Sequence, residues 1–171
     1  MSAGRVFLYS LLLGLACLGA FYLLVPDLLV GEPPSFDRRI GGYDPAAARA
    51  YLQYLEEQEL IGPYLTFYRW IDTAFPLALF GLLISSIWGL WGRAAPAIAL
   101  LGGLVAIGYA VADSVENAAV AGLLRAGSAE VTAEAVNVAS AATQGKWVAV
   151  FGALLLIGAG FLVALVRGTD R

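Results

Sequence analysis

The sequence predicts an all-α integral membrane protein, a four-helix bundle with an amphipathic helix over its outer end. Three observations favour this fold class. The chain is 60% apolar and only 13% charged, about half the charged fraction of an ordinary soluble domain. Its apolar residues fall in four long blocks of about 17 to 20 residues, enough for a helix to cross roughly 30 Å of hydrocarbon. Between the first two blocks, apolar residues recur at helical spacing within a polar segment.

The four predicted spans cover about residues 6–25, 73–92, 96–112 and 147–166. The first block follows Arg5, as the apolar core of a signal peptide would. No small-x-small cleavage site follows it, so we expect it to be retained as a span.

The segments between the spans are expected to lie mostly on the outer side. An outer loop covers residues 26–72. Span three is expected to continue as a helix to residue 124, so that 113–146 forms an outer helical hairpin that turns at Gly127-Ser128. The chain carries no repeat and no interdomain linker, which predicts a single membrane domain over residues 1–171.

The outer loop contains a predicted amphipathic helix. Asp44 is expected to cap its N-terminus, with Pro45 in the first helical position, and Gly62-Pro63 is expected to end it. Its predicted buried face holds Ala48, Tyr51, Leu52 and Leu55.

Four aromatic residues lead into span two. Aromatic side chains are enriched where a span meets the membrane surface, so the interpretation is an anchoring belt rather than a site. Its members are Tyr64, Phe67, Tyr68 and Trp70.

The basic residues predict the orientation. Arg5, Arg93, Arg167 and Arg171 lie in the three short segments on one side, with Asp170 as the acid there. Of the 10 basic and 13 acidic residues, this leaves six basic and twelve acidic on the other side. The excess of positive charge on the cytoplasmic side of membrane proteins then places both termini in the cytoplasm, and an inner (plasma) membrane of a bacterium is expected.

The composition excludes several kinds of site. The chain has no histidine and one cysteine, Cys17, which excludes His-ligated haem or zinc, Cys-rich metal sites and a Ser-His-Asp triad. It has no basic tract for nucleic acid. We therefore expect no resident metal and no cofactor.

One polar cluster stands out at the ends of the spans. Asp113, Glu116 and Asn117 share one helical face. Counting about twenty residues outward from Arg5, Arg93 and Arg167 brings four residues close to one level at the outer edge of the hydrocarbon: Asp27, Asp72, Asp113 and Lys146. The same count places Glu116 and Asn117 one turn higher, in a wetter layer. The predicted binding residues are Asp72, Asp113, Glu116, Asn117 and Lys146.

Two interpretations of this cluster stay open. The acids and Lys146 could form a structural ion-pair network that locks the helices together, which predicts pairing without a cavity. Alternatively, they could line a pocket that binds a cationic ligand or Ca²⁺. In an enzyme, Asp113 or Glu116 would be the catalytic candidate and would line a cavity with an apolar floor. A transporter predicts polar residues that continue to the inner side.

Several short motifs occur in a fixed order along residues 36 to 125. They are Phe36-Asp37-x-Arg39, Gly42-Tyr43-Asp44, Asp72-x-x-Phe75-Pro76 and Asp113-x-x-Glu116-Asn117. This order resembles uncharacterised small four-span bacterial membrane proteins with a GY…D..FP…D..EN pattern. The resemblance implies the four-span layout and brings no known activity.

The expected function is a non-enzymatic membrane protein that binds or scaffolds a membrane partner or lipid. Its expected partners are membrane lipid, and a membrane protein or a second copy of the chain. The first alternative is an enzyme that acts on a lipidic substrate at the outer leaflet through the Asp113/Glu116 pair. The second is a small transporter or ion-binding protein, which would need to oligomerise because four spans make a thin pore.

Overall fold

The protein is a bundle of long helices, seen in a computed structural model that describes residues 2–169. Arg171 and Asp170, which entered the charge count above, lie outside the described residues. The helices are α1 (Ala3–Leu24), α2 (Pro26–Val30), α3 (Pro45–Glu57), α4 (Ile61–Pro63), α5 (Arg69–Trp91), α6 (Pro96–Glu130) and α7 (Ala133–Thr169). A 3₁₀ turn covers Phe36–Arg38, and a π-helical turn covers Tyr64–Tyr68.

Four helices in the described part of the chain are long and apolar enough to cross a membrane. They are Gly4–Leu24, Ile61–Trp91, Pro96–Glu130 and Ala133–Arg167. The predicted fold class, an all-α four-span membrane bundle, is therefore confirmed. Large apolar side chains remain exposed along all four helices, as expected of surfaces that face lipid.

The helix of span two begins earlier than the sequence predicts. Pro63 lies in the short helix α4, which continues through the π-helical turn into α5. Gly62-Pro63 is therefore part of the start of the span-two helix rather than an irregular linker before it. Proline is tolerated there because the amide groups of a first helical turn have no intrahelical acceptor. The α3 helix itself ends at Glu57.

Helix α5 is central to the packing, since it contacts α1, α6 and α7. The α1–α5 approach is close because Gly81 of α5 lies against Ser10 of α1, where a larger side chain would not fit. Helices α6 and α7 form a long antiparallel pair. Their turn starts at Gly127, whose φ of 71° breaks the helix, close to the predicted turn at Gly127-Ser128.

The amphipathic helix α3 covers one end of the bundle, which we call the capped end. Asp44 caps α3 by accepting a 2.7 Å hydrogen bond from the Ala47 amide, and Pro45 occupies the first turn, both as predicted. The predicted face is buried against α6 and α7. Burial raises the pKa of Tyr51 above its ordinary value, so this phenol stays neutral under the Arg39 guanidinium, 4.9 Å from its ring centre.

Among the residues that the structure describes, two apolar cores follow one another along the bundle axis. One core, at the capped end, packs α3 against the parts of the bundle helices nearest to it. The other core lies between α5, α6 and α7. The predicted polar residues fall between the two. On α6 they lie between Tyr109 of one core and Val120 of the other, and on α7 between Val150 and Ala139.

Candidate functional site

The site is a polar layer between the two apolar cores, built by three helices and one loop. Helix α5 supplies Asp72, α6 supplies Asp113, Glu116 and Asn117, and α7 supplies Lys146. The structure thus brings together all five residues that the sequence singles out. It adds five residues that the sequence does not predict as site residues: Asp37, Tyr64, Tyr68, Thr143 and Trp147.

Lys146 pairs with both acids of α6. Its ammonium lies 3.5 Å from Asp113 Oδ1 and forms a closer ion pair with Glu116 Oε2. Both acids reach it because they are three residues apart on one helix face. The three side chains keep between 1% and 9% of their surface exposed, so the charges compensate one another away from solvent.

The remaining oxygens of these two acids are also bonded. Thr143 donates a 2.6 Å hydrogen bond to Glu116 Oε1. Asn117 donates a 3.1 Å hydrogen bond to Asp113 Oδ2 and a 3.2 Å bond to the Asp72 carbonyl oxygen, which ties α6 to α5. The predicted ion-pair network therefore exists.

Glu116 is not in a wetter layer, as the level count predicted. Its side chain is 1% exposed, less than that of Asp113. The count assumed that the bundle ends in water one turn above Asp113. The 3₁₀ turn and α3 cover that end, with α3 packed against α6 and α7, so one turn higher Glu116 is buried and Asn117 is half-buried.

The loop residue Asp37 is part of the polar layer. Tyr68 donates a 2.7 Å hydrogen bond to Asp37 Oδ2, and the Tyr64 hydroxyl lies 3.5 Å from Asp37 Oδ1. Both tyrosines are buried, so their assignment to an anchoring belt was wrong. Phe67, which lies between them in sequence, and Trp70, which follows Tyr68 by two residues, are exposed and fit the belt.

One face of α7 holds the loop in place. Trp147 donates a 2.9 Å hydrogen bond to the Asp37 carbonyl, and Gln144 donates a 2.7 Å bond to the Gly41 carbonyl. The Ser140 hydroxyl accepts a 2.8 Å bond from the Tyr43 amide. Because residues 140, 144 and 147 recur at helical spacing, the loop lies along α7 and directs Asp37 into the bundle.

Asp72 differs from the other three carboxylates of the layer. Asp37, Asp113 and Glu116 each have a partner at both oxygens, whereas the Asp72 carboxylate has no hydrogen bond or ion pair to any of the described residues. Asp72 lies close enough to Asp37, Asp113 and Lys146 to interact with their charges. It is therefore an acceptor without a donor inside a charged layer.

Two cavities meet at Asp37 and Asp72. The smaller, of about 20 Å³, extends toward Glu116 and Asn117 and has room for about one water molecule. The larger, of about 110 Å³, has a polar wall and an apolar floor. Its wall holds Asp37, Arg38, Asp72, Asp113 and Lys146, and its floor holds Phe75, Leu79, Tyr109, Trp147 and Val150.

On each of the three helices, the charged residues that line the larger cavity lie nearer the capped end than the apolar ones do. Asp72 is followed by Phe75 and Leu79 on one face of α5. Tyr109 precedes Asp113 by four residues on α6, which runs the other way, and Val150 follows Lys146 by four on α7. Moving away from the capped end, the lining changes from charged to apolar on all three helices.

The site has an ion-pair network and a cavity at once, so neither of the two sequence interpretations is sufficient alone. Among the described residues, no group of three or more His, Cys, Asp and Glu side chains is arranged to hold a metal ion. On the far side of the cavity, the second apolar core closes the bundle. The buried Ser85 there donates its hydroxyl to the Gly81 carbonyl of its own helix.

Comparisons with family models, curated proteins and solved structures give no match to this chain.

Proposed function

We propose that this protein is a non-enzymatic, multi-pass protein of a bacterial inner membrane that binds a membrane lipid by its headgroup. The observation that carries the proposal is the larger cavity, whose lining changes from charged to apolar along the bundle axis. An amphiphilic lipid likewise has a charged headgroup followed by apolar chains. A volume of about 110 Å³ suits a headgroup rather than a whole lipid, whose chains would stay in the bilayer.

The orientation follows from the basic residues at the other end of the bundle. Arg5, Arg93 and Arg167 are exposed there, and an excess of such residues favours the cytoplasmic side. In this orientation the capped end lies outside, both termini are cytoplasmic, and the cavity lies at the level of the outer leaflet.

Binding is favoured over catalysis by the state of the two acids on α6. Both oxygens of Asp113 and of Glu116 already have partners, and a general base needs a free position toward its substrate. Transport is disfavoured because the second apolar core separates the cavity from the other end of the bundle. The fixed network instead supplies a rigid, charged wall for a ligand.

The test is to fill the cavity and measure the lipid that the purified protein retains. Val150 lies on the cavity floor and is 8% exposed, so Val150→Phe should occupy the space and reduce the retained lipid severalfold. Val148→Phe is the matched control, because Val148 is 72% exposed on the same helix. Native mass spectrometry of the detergent-solubilised protein counts the lipids.

A second control separates lost lipid from lost stability. Leu52 of α3 is fully buried and lines neither cavity, so Leu52→Ala should lower thermal stability while the retained lipid stays. Equal lipid in the Val150→Phe and Val148→Phe proteins would overturn the proposal. Loss of lipid from Leu52→Ala to the same extent as from Val150→Phe would show that lipid follows stability rather than the cavity, and would also overturn the proposal.

A further inference from the structure

We infer that the lipid bound in the larger cavity carries a primary amine in its headgroup, and that Asp72 holds this amine. The inference rests on the proposed function and names the chemistry of its ligand.

The described residues that line the cavities carry more acid than base. Four carboxylates face them, from Asp37, Asp72, Asp113 and Glu116, against three bases. The bases are Arg38, Arg69 and Lys146. Lys146 is already paired with the two acids of α6. Arg69 is exposed and lines the smaller cavity, not the larger one. The larger cavity therefore favours a positive ligand over a negative one.

Asp72 provides the contact. The Asp72 residue is half-buried, it lines both cavities, and neither carboxylate oxygen is bonded to a described residue. A half-buried carboxylate without a donor has lost part of its hydration, and a bound cation offsets that loss. The chain supplies donors to the other three carboxylates of the layer, which leaves Asp72 for the ligand.

The need for hydrogen bonds selects a primary amine. An alkylammonium has three N–H donors and forms charge-assisted hydrogen bonds with a carboxylate. A quaternary ammonium has no N–H donor and would leave both Asp72 oxygens without a hydrogen bond. A headgroup with an anionic end alone would meet Asp37, Asp72 and Asp113 on the same wall.

Arg38 lines the same cavity and fits the phosphate of such a lipid. Its Nη1 donates a 3.0 Å hydrogen bond to the Gly31 carbonyl. A guanidinium has five donors, and in the part of the chain that the structure describes the others make no hydrogen bond to protein. The ligand class is thus a zwitterionic phospholipid with a terminal primary amine, with its amine on Asp72 and its phosphate near Arg38.

The experiment compares headgroups on the wild-type protein, which avoids any folding defect of a variant. Delipidated protein in detergent is titrated with short-chain phosphatidylethanolamine, its N-trimethylated counterpart phosphatidylcholine, phosphatidylglycerol, and free ethanolamine. Thermal stability and native mass spectrometry report binding. We expect phosphatidylethanolamine to bind at least about tenfold more tightly than the other two lipids, as hydrogen bonds to a charged group imply.

The variant Asp72→Asn should bind all three lipids alike, since it keeps the shape and loses the charge. Asp27→Asn is the matched control, because Asp27 is an exposed aspartate of α2 that lines neither cavity, and it should keep the preference. Equal binding of the three headgroups by the wild-type protein, or a preference that survives Asp72→Asn, would overturn the inference and leave the proposed function standing. Failure of every lipid to bind would overturn both, and binding of ethanolamine alone would assign the site to a soluble amine.

Discussion

Lys146 on α7 forms an ion pair with Glu116 on α6, and the Glu116 side chain keeps only 1% of its surface exposed. Removing one partner of such a buried pair leaves a charge without compensation and costs about 3–5 kcal/mol. We expect Lys146→Met to lower the free energy of unfolding by about this amount, because Asp113 loses the same ammonium. Chemical unfolding in detergent measures the change.

The double variant Lys146→Met with Glu116→Gln tests the pairing itself. It should be more stable than the sum of the two single effects implies, because the glutamine leaves one buried charge fewer. Arg125→Met is the control, since Arg125 is an exposed base on α6 and its loss should change stability little. Strict additivity of the two substitutions would contradict the pairing.

Tyr68 and Tyr64 offer a matched pair of substitutions at Asp37. Tyr68→Phe removes the 2.7 Å hydrogen bond to Asp37 Oδ2 and should cost about 1.5–3 kcal/mol, as for a hydrogen bond to a charged group. Tyr64→Phe removes a contact of 3.5 Å and should cost clearly less, because the interaction is weak at that distance.

The readout is again the free energy of unfolding, with Tyr22→Phe as a control on an exposed tyrosine of α1. If Tyr64→Phe and Tyr68→Phe had equal effects, Asp37 would not be oriented toward Tyr68 as described. Both substitutions leave Asp72 in place, so neither should abolish lipid binding.

Glu56 at the end of α3 attaches this helix to the turn between α6 and α7. Its carboxylate accepts hydrogen bonds from the Ser128 amide, at 2.7 Å, and the Ser128 hydroxyl, at 2.6 Å. These bonds hold the pKa of Glu56 below its ordinary value. Since the pKa is lower in the folded chain than in the unfolded chain, the stabilisation is complete above the ordinary glutamate pKa and is lost as the pH falls through the lowered value.

Acidification below about pH 4.3, the ordinary glutamate value, should therefore destabilise the wild-type protein more than Glu56→Gln. Glu57→Gln, an exposed neighbour, should follow the wild-type curve. The difference is expected to be small, because Glu56 is exposed and solvent screens its interactions. Melting temperature as a function of pH measures it, and parallel curves for wild type and Glu56→Gln would refute the attachment.

Residues with regular spacing were predictable from the sequence. Asp113, Glu116 and Asn117 follow the helical period, and counting span lengths brought Asp72 and Lys146 to the same layer. The buried face of α3 followed from the same period. These features depend on local geometry and on the thickness of the hydrocarbon, both of which are nearly constant.

Residues without such spacing were not predictable. Asp37 lies in a segment with no periodic pattern, and its position depends on three hydrogen bonds to α7. Tyr64 and Tyr68 are in a π-helical turn, which shifts side chains away from the 3.6-residue period. Thr143 lies in the Ala-rich part of α7, where no charged or repeated pattern marks it in the sequence. The motif order that begins at Phe36-Asp37 was the one signal that could have found Asp37.

Gly127 starts the turn between α6 and α7 with a φ of 71° and a ψ of 177°, a conformation that is essentially confined to glycine and costs other residues about 1–3 kcal/mol. A Cβ atom there would also lie 2.7 Å from Glu56 Oε1, so Gly127→Ala should disturb the attachment of α3 as well. We expect the free energy of unfolding to fall by at least the conformational cost. Gly122→Ala, inside α6 and facing open space, should instead raise it by up to about 1 kcal/mol because alanine favours a helix. The changes in free energy of unfolding caused by these two substitutions should therefore have opposite signs when measured under one set of detergent conditions. A gain in stability from both would show that Gly127 belongs to a continuous helix.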